Sequence, residues 1–357
     1  MAQRRIGSGL GVILAALSLA LGGCAPMTQY VVRQGIGQIN MLLHSVPIDE
    51  TLVNPQLDVE GRRKLELLVE ARDFARDQLG LHVGGSFARY HDTGGQPVAY
   101  NLSAARQDAL AAKSWRFPIV GTIDYLGFFS RRDAEDEAAQ LQKQGYDTYI
   151  YGVDAYSTLG WFPDPVHSTF LRHPDGTLVE IVIHELAHNT VYAAGQSTFN
   201  ESSATFIGRR GARLFFERRG DEGRDIIAAL ETSYADQERI TDWLIRLENE
   251  LRDHYARDIP PAEKIAGREA IFQAARDRFT SEVLPTLREP DRYRGWAKLP
   301  TNNAYVLLNR RYHYDLGVFD AVYEGNHADF AAFLNVLRAA AQASDPFAYL
   351  RQAAGSP

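Results

Sequence analysis

Cysteine is almost missing from this chain: there is one, Cys24, in 357 residues. No disulfide can close within the chain, and any bound metal must be held by histidine and carboxylate instead of a thiolate cluster. An excess of positive charge is missing as well. Thirty-eight Lys and Arg stand against 45 Asp and Glu, a net charge of −7. No basic stripe is present to neutralise phosphates, so nucleic acid is not an expected partner. Long hydrophobic runs are missing too. The longest, residues 12–21, falls short of the roughly 20 apolar residues that a spanning helix needs. Internal repeats and low-complexity tracts are likewise not found, which excludes a solenoid. What remains is 45% hydrophobic and 23% charged, the balance of a folded globular protein.

The apolar run has a context. Arg4 and Arg5 precede it, and Leu21-Gly22-Gly23-Cys24 closes it. This order reads as an export signal over residues 1–23. Its end resembles the bacterial lipobox, in which the signal is cut before a cysteine whose thiol is lipidated. The sole cysteine stands at the one position where that motif requires it. The expected mature chain begins at Cys24 and is held to a lipid bilayer by several acyl chains, since one alone binds marginally. Ala25 follows, where inner-membrane lipoproteins often carry Asp, so the expected location is the outer membrane, facing the periplasm.

Residues 24–57 read as a tether and N-terminal segment, with an amphipathic helix over 29–43. Residues 58–357 read as one domain. Its opening helix, 58–79, has Asp58 as N-cap, an apolar stripe of Leu65, Leu68, Ala75 and Leu79, and Gly80 as its stop. Residues 83–90 and 97–100 bracket Asp92-Thr93-Gly94-Gly95 and predict a hairpin. A helix over 131–144 and a strand over 146–151 follow. Residues 156–165 read either as a partly buried connection or as an edge strand able to pair with an extended peptide. On the second reading Thr158, Leu159 and Gly160 bind substrate. Beyond 207 helices dominate, over 207–216, 223–255, 262–287, 302–314 and 328–341, and 207–357 is a candidate helical subdomain. The expected class is α+β, helix-rich, with a small mixed sheet and a mainly helical C-terminal half.

The chemistry concentrates in residues 178–205. His184, Glu185 and His188 follow the order H-E-x-x-H, and Glu201 comes thirteen residues after the second histidine. On a helix over 178–192 the two imidazoles lie one turn apart on one face. Two such rings can hold one Zn²⁺ at about 2.0–2.1 Å, and a catalytic site adds a third protein ligand and an open position. Glu201 is the candidate third ligand. Gly195 is expected to break the first helix, and Asn200 to cap a second that carries Glu201 in its first turn. Glu185, rotated off the ligand pair, is the candidate general base for an attacking water. Tyr312, on the 302–314 helix, is the candidate donor to a developing oxyanion. His167 and His173 sit among Pro and Asp and read as surface loop. Asp154, Asp164 and Glu180 are carboxylates near the motif that could bind a substrate amine.

His184-Glu185-Leu186-Ala187-His188 with Asn200-Glu201-Ser202-Ser203-Ala204 resembles the gluzincin arrangement, H-E-x-x-H followed by N-E-x-x-A, at a shorter interval than in thermolysin-like proteases. A closer resemblance is to a family of bacterial predicted zinc aminopeptidases, often lipoproteins. It is carried by Phe117-Pro118-Ile119-Val120-Gly121, residues 125–129, residues 157–162, Phe199-Asn200-Glu201 and Asn302-Asn303-Ala304, across nearly all of the mature chain. The resemblance implies a gluzincin-like zinc peptidase with one Zn²⁺ and a peptide substrate. Thermolysin-like enzymes place an Asp four residues after the glutamate ligand, where this chain has Thr205. Two other readings stand beside the aminopeptidase: an endopeptidase of envelope proteins, and a non-catalytic envelope scaffold with a structural metal. Replacing Cys24 by Ser is expected to move the protein from the membrane to the soluble fraction and to abolish palmitate labelling. Continued labelling would refute the anchor.

Overall fold

The computed structural model describes residues 25–117, 121–154, 164–298, 302–312 and 314–355. Cys24, the 1–23 segment and the Thr158, Leu159 and Gly160 stretch lie outside the described residues. Helix α1 (Ala25–Leu43) opens the chain, followed by β1 (Val46–Pro47), α2 (Ile48–Leu52) and α3 (Val59–Asp77). Strands β2 (Arg89–His91), β3 (Ala99–Arg106), β4 (Trp115–Phe117), β5 (Gly121–Ile123) and β6 (Leu126–Phe128) lead to α4 (Arg131–Lys143), β7 (Tyr146–Val153) and β8 (Val166–His167). Helices then take over: α5 (Asp175–His188), α6 (Ser197–Glu217), α7 (Asp221–Ala256), α8 (Pro261–Arg278), α9 (Pro290–Tyr293), α10 (Asn303–Tyr312), α11 (Leu316–Gly325), α12 (Phe330–Ala340) and α13 (Pro346–Ala353). The architecture is α+β and helix-rich. Among the described residues, no helix is long and apolar enough to cross a membrane.

The strands form small sheets. The ordered β6-β3-β7 sheet is antiparallel throughout, β1-β2-β8 is mixed, and β4-β5 is a two-stranded ribbon. The hairpin expected around 92–95 does not form. Its two arms enter different sheets, because β2 pairs with β8 while β3 pairs with β6 and β7. Long-range pairing partners outweigh the local turn signal there. The C-terminal half is helical as expected, but the helix read over 262–287 ends as α8 at Arg278, and α9, α11 and α13 had no distinct sequence signal.

Local rules explain the helices that matter. Asp58 caps α3 by accepting from the Gly61 amide at 2.6 Å, as expected. Leu65, Leu68, Ala71 and Ala75 form its fully buried stripe. Gly80 follows with φ +70, a conformation glycine takes without strain. The stripe packs on α5 and α6 in the largest apolar core, which α11 and α12 close with Phe319 and Phe333. A second core joins α7, α8 and α10 around Leu247, Phe272 and Val306, and a third lies between β3, β6 and α4. Helix α1 is fixed against β6 and α4: the Tyr30 hydroxyl donates to the Gly127 carbonyl at 2.9 Å, and Arg33 pairs with Asp133 at 3.1 Å.

The contact that positions the site is α5 against α6. Glu201, Ala204, Gly208 and Gly211 recur at helical spacing along one stripe of α6. A Cβ at Gly208 would lie 3.0 Å from the Glu180 carbonyl oxygen and 3.2 Å from the His184 Cβ. One at Gly211 would lie 2.9 Å from both Ile183 Cγ2 and Leu79 Cδ1. Bare glycines therefore let the two backbones approach. Gly208→Val is expected to cost about 1–3 kcal/mol by overpacking and to lower the melting temperature. Gly317→Ala, whose added methyl meets nothing within 4 Å, is expected to leave it unchanged or higher. Equal melting temperatures for Gly208→Val and wild type would contradict this packing account.

Candidate metal centre

Helix α5 is apolar on the face it buries. Val179, Val182, Ile183, Leu186 and Ala187 are at most 1% exposed, which turns His184 and His188 toward α6. The helix ends at His188, four residues earlier than the sequence suggested, with Asn189 as its C-cap. The Thr190 hydroxyl donates back to the Leu186 carbonyl at 3.0 Å and competes with helix continuation. Helix α6 starts at Ser197, so Asn200 lies inside it instead of capping it, and Glu201 falls in the second turn. Asn200 has a different task. Its side-chain oxygen accepts from the Ala193 amide at 2.8 Å and its NH₂ donates to the Ala193 carbonyl at 2.9 Å. This two-point clasp closes the loop between the helices. Gly195 lies within that loop at φ +78. It meets Gly121, also at φ +78, where a Cβ would sit 3.0 Å from the Gly195 nitrogen.

The result brings three donors together. His184 Nε2 and His188 Nε2 are 3.2 Å apart. Glu201 Oε2 is 3.5 Å from the first and 3.6 Å from the second. Ligand atoms about 2.0–2.1 Å from a tetrahedral ion stand about 3.3–3.4 Å from one another, so this spacing fits one such ion. Two neutral imidazoles facing the same carboxylate oxygen and each other leave lone pairs opposed unless a proton or cation lies between them. Among the described residues this is the one group of three His or acidic side chains whose donors converge, all within 4.8 Å. Burial opposes charge on both Glu201 and His188. Their mutual attraction wins, holding the Glu201 carboxyl far below the usual carboxylate range and raising His188 above the usual histidine value. Among the described residues His188 Nδ1, which is buried, has no hydrogen-bond partner. Glu185 is half-buried beside the triad, and desolvation raises its carboxyl above the ordinary value despite the two histidines.

The structure places Tyr312 at this centre. Its ring stacks on His184 with centroids 6.5 Å apart and 28° between planes. Burial, with the Glu201 carboxylate behind it, pushes its phenol well above the ordinary tyrosine value. Helix α10, which carries Tyr312, ends at that residue, two earlier than expected. It is docked at both ends. The Asn302 side chain accepts from the Tyr305 amide at 3.0 Å and donates to the Thr148 carbonyl at 3.0 Å. Asp147 accepts from the Asn303 amide at 2.9 Å. Residues 147–151 of β7 and 303–312 of α10 each span about 14 Å, so the strand matches the helix in length. Tyr149 meets Tyr305 edge-on at 5.1 Å, and Tyr151 stands near Tyr312 at the far end. At the other side the Ser202 hydroxyl, next to Glu201, donates to the Arg311 carbonyl at 2.9 Å.

Sequence reasoning missed Tyr151 and Tyr192, whose phenols both feel the Glu201 carboxylate. The alternation of Asp147, Tyr149 and Tyr151 on one face of β7 was the available signal. His167 is corrected: it is buried at 1% exposure, not in a surface loop. Its Nδ1 faces His91 Nδ1 at 3.3 Å because β2 and β8 pair in that register. Burial and the neighbouring ring push His167 down to about 3. His173, half-buried, contacts Asp154 at 3.1 Å. Neither joins the triad. Of the three candidate amine-binding carboxylates, Asp154 is engaged by His173 and Asp164 is buried near Phe87. Glu180 stands one turn before His184 and accepts from the Tyr234 hydroxyl at 2.8 Å. His188→Ala and Glu201→Ala are each expected to lose the bound metal in elemental analysis of purified protein, whereas Glu185→Gln keeps it. Full metal content in His188→Ala would refute the ligand assignment.

No curated protein and no solved structure matches the chain at the level searched. The sequence model of the family described as “Putative aminopeptidase” matches residues 29–348. That interval runs from α1 into α13 and includes the triad, Glu185 and Tyr312, so the chain belongs to this family of aminopeptidase-like proteins.

Proposed function

We propose that the protein is a membrane-anchored, zinc-dependent peptidase of gluzincin type, acting as an aminopeptidase. The observation that carries this reading is the convergence of His184, His188 and Glu201 at tetrahedral spacing, with Glu185 one residue from the first histidine. Two imidazoles and one carboxylate are the donor set of a hydrolytic zinc centre, and they leave a fourth position open. When bound, the ion acidifies water and polarises the scissile carbonyl.

The chain's own residues supply the rest. Glu185 takes a proton from the attacking water and delivers it to the leaving amine. The Tyr312 hydroxyl donates a hydrogen bond to the oxygen on which negative charge develops. Its stacking on His184 and the docking of α10 on β7 hold that donor in place before reaction, which is where such stabilisation is strongest. Thr158, Leu159 and Gly160 bind the peptide substrate. Acylated Cys24 holds the enzyme at the envelope membrane.

A structural metal site requires no carboxylate beside it to act as a base, so the presence of Glu185 favours the enzyme over a scaffold. On peptides with free N-termini, Glu185→Gln is expected to lower kcat by about 10²–10⁴-fold with metal content unchanged. Peptides with acetylated N-termini are expected to remain intact with the wild type. Cleavage of both sets would make it an endopeptidase. No cleavage by metal-loaded wild type of any peptide would overturn the enzymatic reading.

A further inference from the structure

Among the described residues two arginines are buried, Arg268 at 6% and Arg311 at 4% exposure. They are treated very differently. Arg268 makes two hydrogen bonds of 2.9 Å to the Asp147 carboxylate. Arg311 forms no ion pair with any Asp or Glu, all of which lie among the described residues. Its Nη2 donates to the Asp124 carbonyl at 3.2 Å, and its guanidinium stands over the Tyr125 ring at 5.4 Å. Its Nη1 is buried with no hydrogen-bond partner among the described residues. Taking a cation out of water without a counter-ion is costly, and proteins rarely retain one that has no anion to meet.

The position of this charge indicates which anion it meets. Arg311 precedes Tyr312, the residue stacked on His184, and its carbonyl is fixed to Ser202 beside Glu201. The Tyr151 and Tyr312 phenols feel both the Arg311 cation and the Glu201 carboxylate. Arg311 thus adjoins the triad through two neighbours: Tyr312 stacks on His184, and Ser202, which holds the Arg311 carbonyl, is next to Glu201. A peptide lying across the triad would carry the groups of its neighbouring residue toward this side of the site.

We propose that Arg311 is a specificity-determining residue that recognises a substrate carboxylate, its Nη1 donating to an oxygen of the peptide's C-terminus or of an acidic side chain next to the scissile bond. The proposal rests on the peptidase reading above. A guanidinium suits this task because its flat array of donors matches a carboxylate. With a C-terminal carboxylate in this place, the enzyme favours very short peptides.

The test measures binding without turnover, so it is separate from the activity assay. Metal-loaded Glu185→Gln protein, with Arg311 intact or changed to Met or Lys, is titrated calorimetrically with two peptide pairs. One pair is Ala-Ala and its C-terminal amide. The other is the amides of Ala-Glu and Ala-Gln. With Arg311 intact, the carboxylate member of one pair is expected to bind at least tenfold more tightly. The first pair showing this assigns the chain end, the second the side chain. The preference is expected to vanish in Arg311→Met and to weaken in Arg311→Lys. Arg311→Met also removes an unpaired buried charge, so it is expected to melt no lower than its parent. A carboxylate preference that survives in Arg311→Met, no preference in either pair, or no binding of any peptide would each overturn the proposal. Hydrolysis of neutral peptide amides by the wild type, together with any of those results, would leave the peptidase reading standing.

Discussion

Everything at the centre depends on how closely α6 approaches α5. His184 and His188 are fixed by one turn of helix, but a third ligand can reach them only if a second backbone comes near. Ala204, Gly208 and Gly211 allow this, because larger side chains at the two glycines would meet Glu180, Ile183 and His184 itself. Glu201 stands at the end of that small-residue stripe, so the spacing that lets the helices pack also aims the carboxylate. Asn200, the residue before it, clasps the loop at Ala193 and fixes the start of α6. Packing and the convergence of the three donors are thus two consequences of one stripe.

The β layer contributes by anchoring α10. Arg268 neutralises Asp147 inside the protein, and Asp147 in turn receives the first amide of the helix. The Tyr255 hydroxyl donates to Asn303 at 3.0 Å, and Asn303 donates to the Arg106 carbonyl at 2.8 Å. This fully paired network contrasts with Arg311 at the other end of the same helix, where the cation has no counter-charge. Such a contrast is expected where one end of an element serves stability and the other serves a ligand. Buried polar groups that cannot be matched within the protein concentrate at sites of function.

The parts legible in the sequence were those governed by local rules. The cap at Asp58, the apolar face of α5, the pairing of His184 with His188 and the choice of Glu201 all followed from spacing, and the helical C-terminal half followed from periodicity. The parts missed depend on distant partners. Turn residues at 92–95 suggested a hairpin, yet the strands on either side found other neighbours. His167 seemed exposed because Pro and Asp flank it, and only the β2–β8 register shows it buried edge-to-face against His91. Tyr151 is separated by 50 residues from Glu201, and no local pattern links them. Asn200 was recognised as important for the wrong reason, since its amide serves the loop behind it and not the helix ahead.

The central claim is that His184, His188 and Glu201 hold one zinc ion with a position left open. Diffraction from crystals of the full-length protein, recorded above and below the zinc absorption edge, addresses it directly. The account predicts a single anomalous peak about 2.0–2.1 Å from His184 Nε2, His188 Nε2 and a Glu201 oxygen, with no fourth protein ligand. A peak elsewhere, a fourth side chain closing the site, or no peak in zinc-supplemented crystals would contradict it.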